Sequence, residues 1–591
     1  MLECAANMTS VTCRGSDFQA SGADPAMTLD RELAGMSWAT AANLLNFFCF
    51  THLGVIVCFA FGWRVPSYLA PAALLGALAV GDWLGRLEGV QGRLRTVPPA
   101  AALAILGLSL ILSGTFFDMS WDGLWYHQTA IYQMAHGWNP LRDPLHNFTP
   151  SLQDYVRHYA KGPWYVSLAF FQFSPHIEWA KPAPWMALAA MFLATLAASL
   201  DFGMRRRIAL VIATLVALNP VAVFELATYL VDGLLISYLT CYVVAMVRYI
   251  RRPSPLMLAV AVAAAILCAN TKFSGFVYLC FFCAAGGVYL LLRQRRSLVR
   301  YLAINVCAFA LATGLFGFNP YVTNTVHRGH PFYPWFGTAA YPSYAQRGRD
   351  PNEMYETPKN LVGRNRLVRF SYALFGRPGA QPFFPGPDAH LMWPFDVRWR
   401  DFQMFYFHDV RIAGFGPLFS GAFLIGLVLL GAALVRPGLP RWVVVLAVAT
   451  VAGSLLVGLH LWWARYGPQL WWLPVMAVVA GLAVPGWRGV RWSAWCLTVL
   501  LLVNAVLVEI RHFVWERDAT RTTYVQMALL RQKGEIEIDF QYFREPYAER
   551  LRAAGVTFRA SRTLHCTKPI ELMSVPHGYP GAVRACIPEP E

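Results

Sequence analysis

The chain has 591 residues, 57% of them hydrophobic and only 14% charged, with a formal net charge of +16. Soluble domains carry roughly 25% charged residues, so the composition excludes an ordinary soluble globular protein and describes a polytopic membrane protein. The positive balance does not mark a nucleic-acid binder, because the arginines sit in short loops between apolar segments, where such charges set topology.

Residues 1–40 lack the charged, apolar and cleavage-site order of a secretory signal and read as a short, poorly ordered cytoplasmic lead-in. A membrane-spanning helix needs about 20 apolar residues, and about 13 windows qualify. They cover 41–63, 66–84, 98–117, 182–200, 207–221, 233–248, 255–270, 273–292, 301–319, 412–434, 442–459, 468–485 and 492–510. With the N-terminus inside, the cytoplasmic loops hold Arg86, Arg93, Arg95, Arg205–Arg207, Arg248, Arg251, Arg252, Arg293, Arg295, Arg296, Arg300, Arg436, Arg441, Arg488 and Arg491. The short outside loops hold Arg64, Lys272 and Arg465. That asymmetry orients the bundle and leaves Lys272 and Arg465 on the side where a topogenic role does not explain them.

The expected fold is an all-α polytopic transmembrane domain over 41–510. Its outward loops, 118–181 and 320–411, carry interfacial helices. The segment 511–591 reads as a small extracytoplasmic α/β domain, with helical patterns at Tyr524–Gln532 and Pro546–Ala554. Strand patterns lie at Glu535–Phe540 and Thr557–Ala560. Of the 12 Cys, most lie in apolar segments as small hydrophobes. Cys566 and Cys586 lie in the polar tail, where an extracytoplasmic location would permit a disulfide.

The run Trp121–Pro140 follows a strongly apolar window ending near Phe117 and puts Asp122 where the chain leaves the membrane. A carboxylate there is costly without a partner or a function. Leu124, Ile131, Ala135 and Trp138 share one helical face, with His127 and Gln128 elsewhere, so the run reads as an interfacial helix. Asp122 is either a general base for an acceptor hydroxyl or the N-cap of that helix, and Gly137 is its stop. Asp118 is the alternative base or a metal ligand.

Further along, Lys161 precedes a Gly-Pro turn and the short apolar stretch Gly162–Ser174. It reads as a ligand for a lipid phosphate or as a snorkelling lysine. Glu225 and Asp232 share a helical face, and either one orients substrate or Asp232 caps a helix. Tyr126, His127, His158 and Tyr333 are candidate substrate contacts. Arg465, in a Trp-rich belt, is placed to stabilise charge on a leaving phosphate. No P-loop, no GxGxxG after a strand and no HExxH is present.

These motifs, taken in order, resemble the GT-C superfamily of integral-membrane glycosyltransferases. Within it they resemble the protein O-mannosyltransferases, the lipid A aminoarabinose transferase and the arabinofuranosyltransferases. Asp122 in WDGLWY matches the family's catalytic Asp, with Gly123 where Glu is frequent. Lys161 in AKGPWY matches the basic residue before a proline. Ala160 stands where some members carry an acid proposed to hold a metal. Asp232-Gly233, His330–Pro334 and Arg465-Tyr466-Gly467-Pro468 match later elements.

The resemblance implies inverting transfer of a sugar from a polyprenyl-phosphate donor to an acceptor hydroxyl on the periplasmic face of the inner membrane. The acceptor is a glycan, lipid or protein. Asp122 acts as base, and Lys161, Arg465 and Lys272 hold the phosphate. The resemblance fixes no cofactor, and a divalent metal stays open, with Asp118 as its candidate ligand. The other classes weighed are a flippase of lipid-linked saccharide, against which the absence of an inverted repeat counts, and a ligase or polymerase using diphosphate-linked glycan.

Overall fold

The structure is a computed structural model that describes residues 25–145, 148–348, 350, 352–379, 388–435, 441–458, 460–483, 488–574 and 581–587. Most of the predicted lead-in therefore lies outside the described residues. Its last part is not poorly ordered: helix α1 starts at Pro25 and runs unbroken to Phe61.

The chain is mostly helical, and every predicted window holds a helix. These are α1, α2 (Leu69–Leu87), α3 (Val97–Thr115), α7 (Ala183–Asp201), α8 (Arg206–Ala217), α10 (Asp232–Arg251), α11 (Pro255–Ala269), α12 (Phe273–Arg293) and α13 (Arg295–Ala310). Four more follow, α17 (Phe419–Leu434), α18 (Arg441–Leu456), α19 (Trp472–Ala483) and α20 (Arg488–Arg531). Among the described residues seven helical stretches are long and apolar enough to cross a membrane. The apolar stretches 255–269, 419–434, 441–456 and 468–482 are shorter.

Local chemistry sets several starts. Ser254 caps α11 through Met257 N (3.3 Å), with Pro255 at the first position. In the bundle, α1 packs against α2, α7 and α11. Ala187, Ala190, Ala194 and Ala197 of α7 are fully buried, and side chains this small let helix backbones approach closely. The outer faces are apolar and bare: Val299 is 76% exposed, Val306 65% and Val428 72%. Large apolar side chains this open on helices are what a bilayer, not water, accommodates.

The short helices lie between these. They are α4 (Gln128–Ala135), α5 (Pro150–His158), α6 (Gly162–Phe173), α9 (Pro220–Phe224), α14 (Thr323–Arg328), α15 (Arg366–Phe375) and α16 (Trp399–Gln403). A π-turn, Gly123–His127, leads into α4, and Gly137 stops it with a left-handed φ of 110°. The run does not lie on an open interface as the helical wheel suggests. Leu124 and Tyr126–Tyr132 are all buried, because the extra residue of the π-turn rotates successive side chains into different neighbours.

Helix α20 is 44 residues long, about 66 Å at 1.5 Å per residue, against a hydrocarbon core of about 30 Å. Its far end carries a small domain of β1 (Ile536–Asp539), α21 (Arg544–Ala553), β2 (Phe558–Ala560), β3 (Ile570–Glu571) and β4 (Arg584–Cys586). The sheet order is β2-β1-β4-β3, parallel between β1 and β2 and antiparallel elsewhere. Cys566 is linked to Cys586 (Cα–Cα 5.8 Å). This domain is packed onto the bundle: Leu124 and Phe407 are buried in its core with Ile538, Tyr547 and Leu551.

Candidate functional site

Two acids four residues apart lie just beyond the C-terminal end of α3, and they have opposite surroundings. Asp118 is fully buried. Its carboxylate accepts from Ser120 N (2.8 Å), Gln128 Nε2 (3.2 Å) and Tyr229 N (3.1 Å). Burial, then repulsion from Glu178, raises its pKa above the ordinary carboxylate value. Its backbone is held as well, since its N–H donates to Glu178 Oε2 (3.1 Å) and its carbonyl accepts from Arg550 Nη2 (2.7 Å). Arg550 and Lys181 both ion-pair with Glu178 (2.6 and 2.5 Å). This cluster ties α21 of the C-terminal domain to the turn that carries Asp122.

Asp122 is not an N-cap. Its backbone is already helical and its side chain makes no capping bond; Ser120 Oγ accepts from Gly123 N instead (3.1 Å). The carboxylate pairs with Arg465 Nη1 (2.9 Å) and keeps 21% of its side-chain surface open. Burial alone would raise its pKa, but Arg465, with His127 and Lys272, outweighs that and holds the carboxyl below the usual range.

Asp122 and Arg465 line a narrow cleft with Ser120, Trp121, Leu230, Glu356, Phe407, His408, Asp409 and Arg411. Its free volume is about 10 Å³, enough for about one water. Asp409 accepts from Trp463 Nε1 (2.6 Å) and ion-pairs with Arg411 (3.3 Å) and Arg465 (3.5 Å). Arg465 and Arg411 both sit 4.3 Å from the Trp463 ring, two cation–π contacts that help to hold the guanidinium groups. Glu356 pairs with Arg411, and burial lifts its pKa to about 7.

Gly123, where the resembling family often has Glu, has a local cause. A Cβ there would lie 1.9 Å from Asp118 Oδ2 and 2.3 Å from Ser120 Oγ, so the folded-under Asp118 excludes any side chain.

The other predicted residues divide. Lys272 Nζ donates to Asp232 Oδ1 (2.7 Å) and lies 4.3 Å from the Tyr466 ring, which Arg465 also contacts at 5.5 Å. Glu225 Oε2 accepts from Gly233 N at the start of α10 (2.6 Å), and burial, then Asp232, raises its pKa. A Cβ at Gly233 would lie 3.0 Å from Ala222 Cα, which explains the Asp-Gly pair. His127 Nδ1 accepts from Trp164 Nε1 (2.6 Å), its Nε2 is buried without a partner, and burial lowers its pKa to about 3. Tyr126 packs between Tyr155, Tyr159 and His127.

Of the predicted site residues only Asp122 and Arg465 line the cleft. Lys161 is buried and donates to the carbonyls of Arg157 (2.9 Å) and Tyr159 (3.0 Å). It therefore neither snorkels nor faces the cleft; burial, then Arg157, pushes its pKa far below the ordinary lysine value. His158 Nδ1 meets Asn324 Oδ1 (2.6 Å), and its ring packs on Tyr333 (4.8 Å). Asp118 does not line the cleft either, and its oxygens already have three donors. Sequence reasoning missed Glu356, His408, Asp409 and Arg411, whose signal was the charge cluster His408-Asp409-Val410-Arg411 at the end of the long loop. It also missed Glu178 and Arg550, which come together only through the fold.

No model of a known protein family matches the chain, and no curated protein matches it.

Proposed function

We propose that the protein is an inverting glycosyltransferase of the GT-C kind, with about 13 spanning helices and its cleft on the extracytoplasmic side. The orientation follows from the arginine-rich loops at the opposite helix ends. The observation that carries the reading is the Asp122–Arg465 pair, a carboxylate and a guanidinium side by side on a cleft immediately beyond α3. Acid and cation are the two groups that transfer from a phosphate-linked sugar requires.

In the proposed reaction the acceptor oxygen attacks the anomeric carbon, the bond from that carbon to the phosphate oxygen breaks, and the phosphate leaves with the electron pair. The acceptor proton goes to an Asp122 oxygen. Arg465 binds the leaving phosphate, with Lys272 against the same Tyr466 ring as a second cation. Asp122 is a weak base while Arg465 holds it. A donor phosphate that draws Arg465 away both opens the tight cleft and restores the basicity of Asp122. Asp409 and Trp463 keep the guanidinium close during that exchange.

A donor with a diphosphate link is the second reading. A groove of about 450 Å³ lies on the same segment as Glu356; Asp350, Glu353, Arg369 and His460 line it, with Arg369 paired to Glu353, and Arg364 and Arg366 in the same lining offer cations for a second phosphate.

The test is release of polyprenyl phosphate from a polyprenyl-monophosphate sugar by the purified protein. Arg465→Ala should raise the donor KM by about 10-fold to 100-fold, the worth of one charge-assisted contact. Unchanged donor kinetics would remove Arg465 from the phosphate site, and release only from diphosphate donors would favour the second reading.

A further inference from the structure

Beside the cleft, and not used by the chemistry above, His408, His512 and Glu516 converge. Their ligand atoms lie within 4.8 Å of one another, and all three residues are buried. His408 comes from the end of the long outer loop. His512 and Glu516 sit four residues apart on α20, spacing that puts both on one helical face. His408 Nδ1 is 3.2 Å from Glu516 Oε1, and His512 Nε2 is 3.7 Å from the same oxygen. Ligands about 2.0–2.1 Å from a tetrahedral zinc ion are about 3.3 Å apart, so the two distances bracket the edge of such a site.

The hydrogen bonding of His512 points the same way. Its Nδ1 faces Tyr406 O (3.2 Å) and its Nε2 faces Phe224 O (3.1 Å). A neutral imidazole has a single N–H. With that N–H at Nδ1 and donated to Tyr406 O, the Nε2 lone pair is aimed at two oxygens, Phe224 O and Glu516 Oε1. His408 Nδ1 faces the same Glu516 oxygen at 3.2 Å, donating to it when protonated there and, with its proton on Nε2, adding another lone pair that a cation would satisfy. Glu516 adds a second oxygen, Oε2, buried without a hydrogen-bond partner. A histidine that gives one N–H to a backbone carbonyl and presents its other nitrogen inward is the usual arrangement around a bound metal.

We propose that His408, His512 and Glu516 form a site for a divalent transition cation of the zinc class, with the fourth position beside Phe224 O. Two imidazoles and one carboxylate suit zinc or cobalt better than magnesium or calcium. The cation clamps the outer loop to α20. Since Asp409 follows His408 directly and holds Arg465, the clamp positions the cleft and does not take part in bond exchange. The site stands whether or not the transferase reading does.

The experiment is metal analysis of the tag-free, full-length protein in detergent after incubation with Zn²⁺ or Co²⁺ and desalting. About one equivalent should stay bound to wild type and below about a tenth to Glu516→Gln or His408→Ala. Cobalt-loaded wild type should show visible d–d absorption of a four-coordinate ion, and chelation should lower its Tm. Retention below about a tenth of an equivalent by wild type would overturn the proposal. So would equal retention by Glu516→Gln, which would put the cation elsewhere. The wild-type readings decide the matter even if a variant fails to fold.

Discussion

The Asp118 and Asp122 neighbourhoods lie four residues apart in the chain and are built on different principles. Around Asp118 the acid itself is fully engaged: three neutral donors on the carboxylate, Arg550 on the carbonyl, and Glu178 between Lys181 and Arg550. Around Asp122 one cation neutralises one open carboxylate, and that cation has a second acid, Asp409, to hold it when it moves. The first arrangement is costly to disturb and gains nothing from a ligand. The second is exchangeable, because an incoming anion can take the guanidinium. Chemistry belongs where charge partners are few and replaceable; rigidity belongs where they are saturated.

Breaking the saturated cluster should cost folding. Arg550→Ala leaves Glu178 buried with one cation fewer and should destabilise the protein by about 3–5 kcal/mol, read as a fall in Tm. A Tm equal to wild type would mean that the C-terminal domain does not anchor the turn.

The open side should respond to pH instead. Burial holds the Glu356 carboxyl at about 7, above its ordinary value. A raised carboxyl favours folding fully below the ordinary pKa and loses that contribution as pH rises through about 7. Wild type should therefore lose roughly 3 kcal/mol of stability between about pH 4.5 and pH 7 that Glu356→Gln does not lose. Parallel stability profiles for the two proteins would contradict this.

Gly123 joins the two neighbourhoods. Gly123→Ala presses a methyl group on Asp118 and should cost about 1–3 kcal/mol while lowering activity, since the same turn aims Asp122. A fully stable, fully active Ala variant would show that the turn has slack.

The elements were legible because apolar length and period are local properties. All the predicted windows hold helices, strands β1 and β2 fall inside the tail patterns, and helix α21 overlaps its pattern but starts two residues earlier. The reach of α1 back to Pro25 was not, since polar residues such as Asp30 and Glu32 mask a helix that continues past the apolar window. Asp122, Arg465 and Lys272 were legible from being charged at helix ends where topology did not require them. The capping role of Asp122 was misread, because a π-turn stabilised by Ser120 leaves no sign in residue spacing. The reading of Lys161 as a phosphate ligand used its place beside a Gly-Pro turn. In the fold, the chain reversal after α5 turns its ammonium onto two carbonyls instead. Arg550 reaches Glu178 across 372 residues, and Glu356 and Asp409 reach Arg411 and Trp463 across more than fifty residues each, and one sequence carries no record of that.

The most direct measurement is turnover of a polyprenyl-phosphate sugar by wild type and Asp122→Asn, with Tm recorded on the same samples. The account predicts that wild type releases polyprenyl phosphate with inversion at the anomeric carbon. The variant should fall by about 10²-fold to 10⁴-fold at an unchanged Tm. A variant that turns over at the wild-type rate, or a wild type that consumes no lipid-linked sugar, would contradict it.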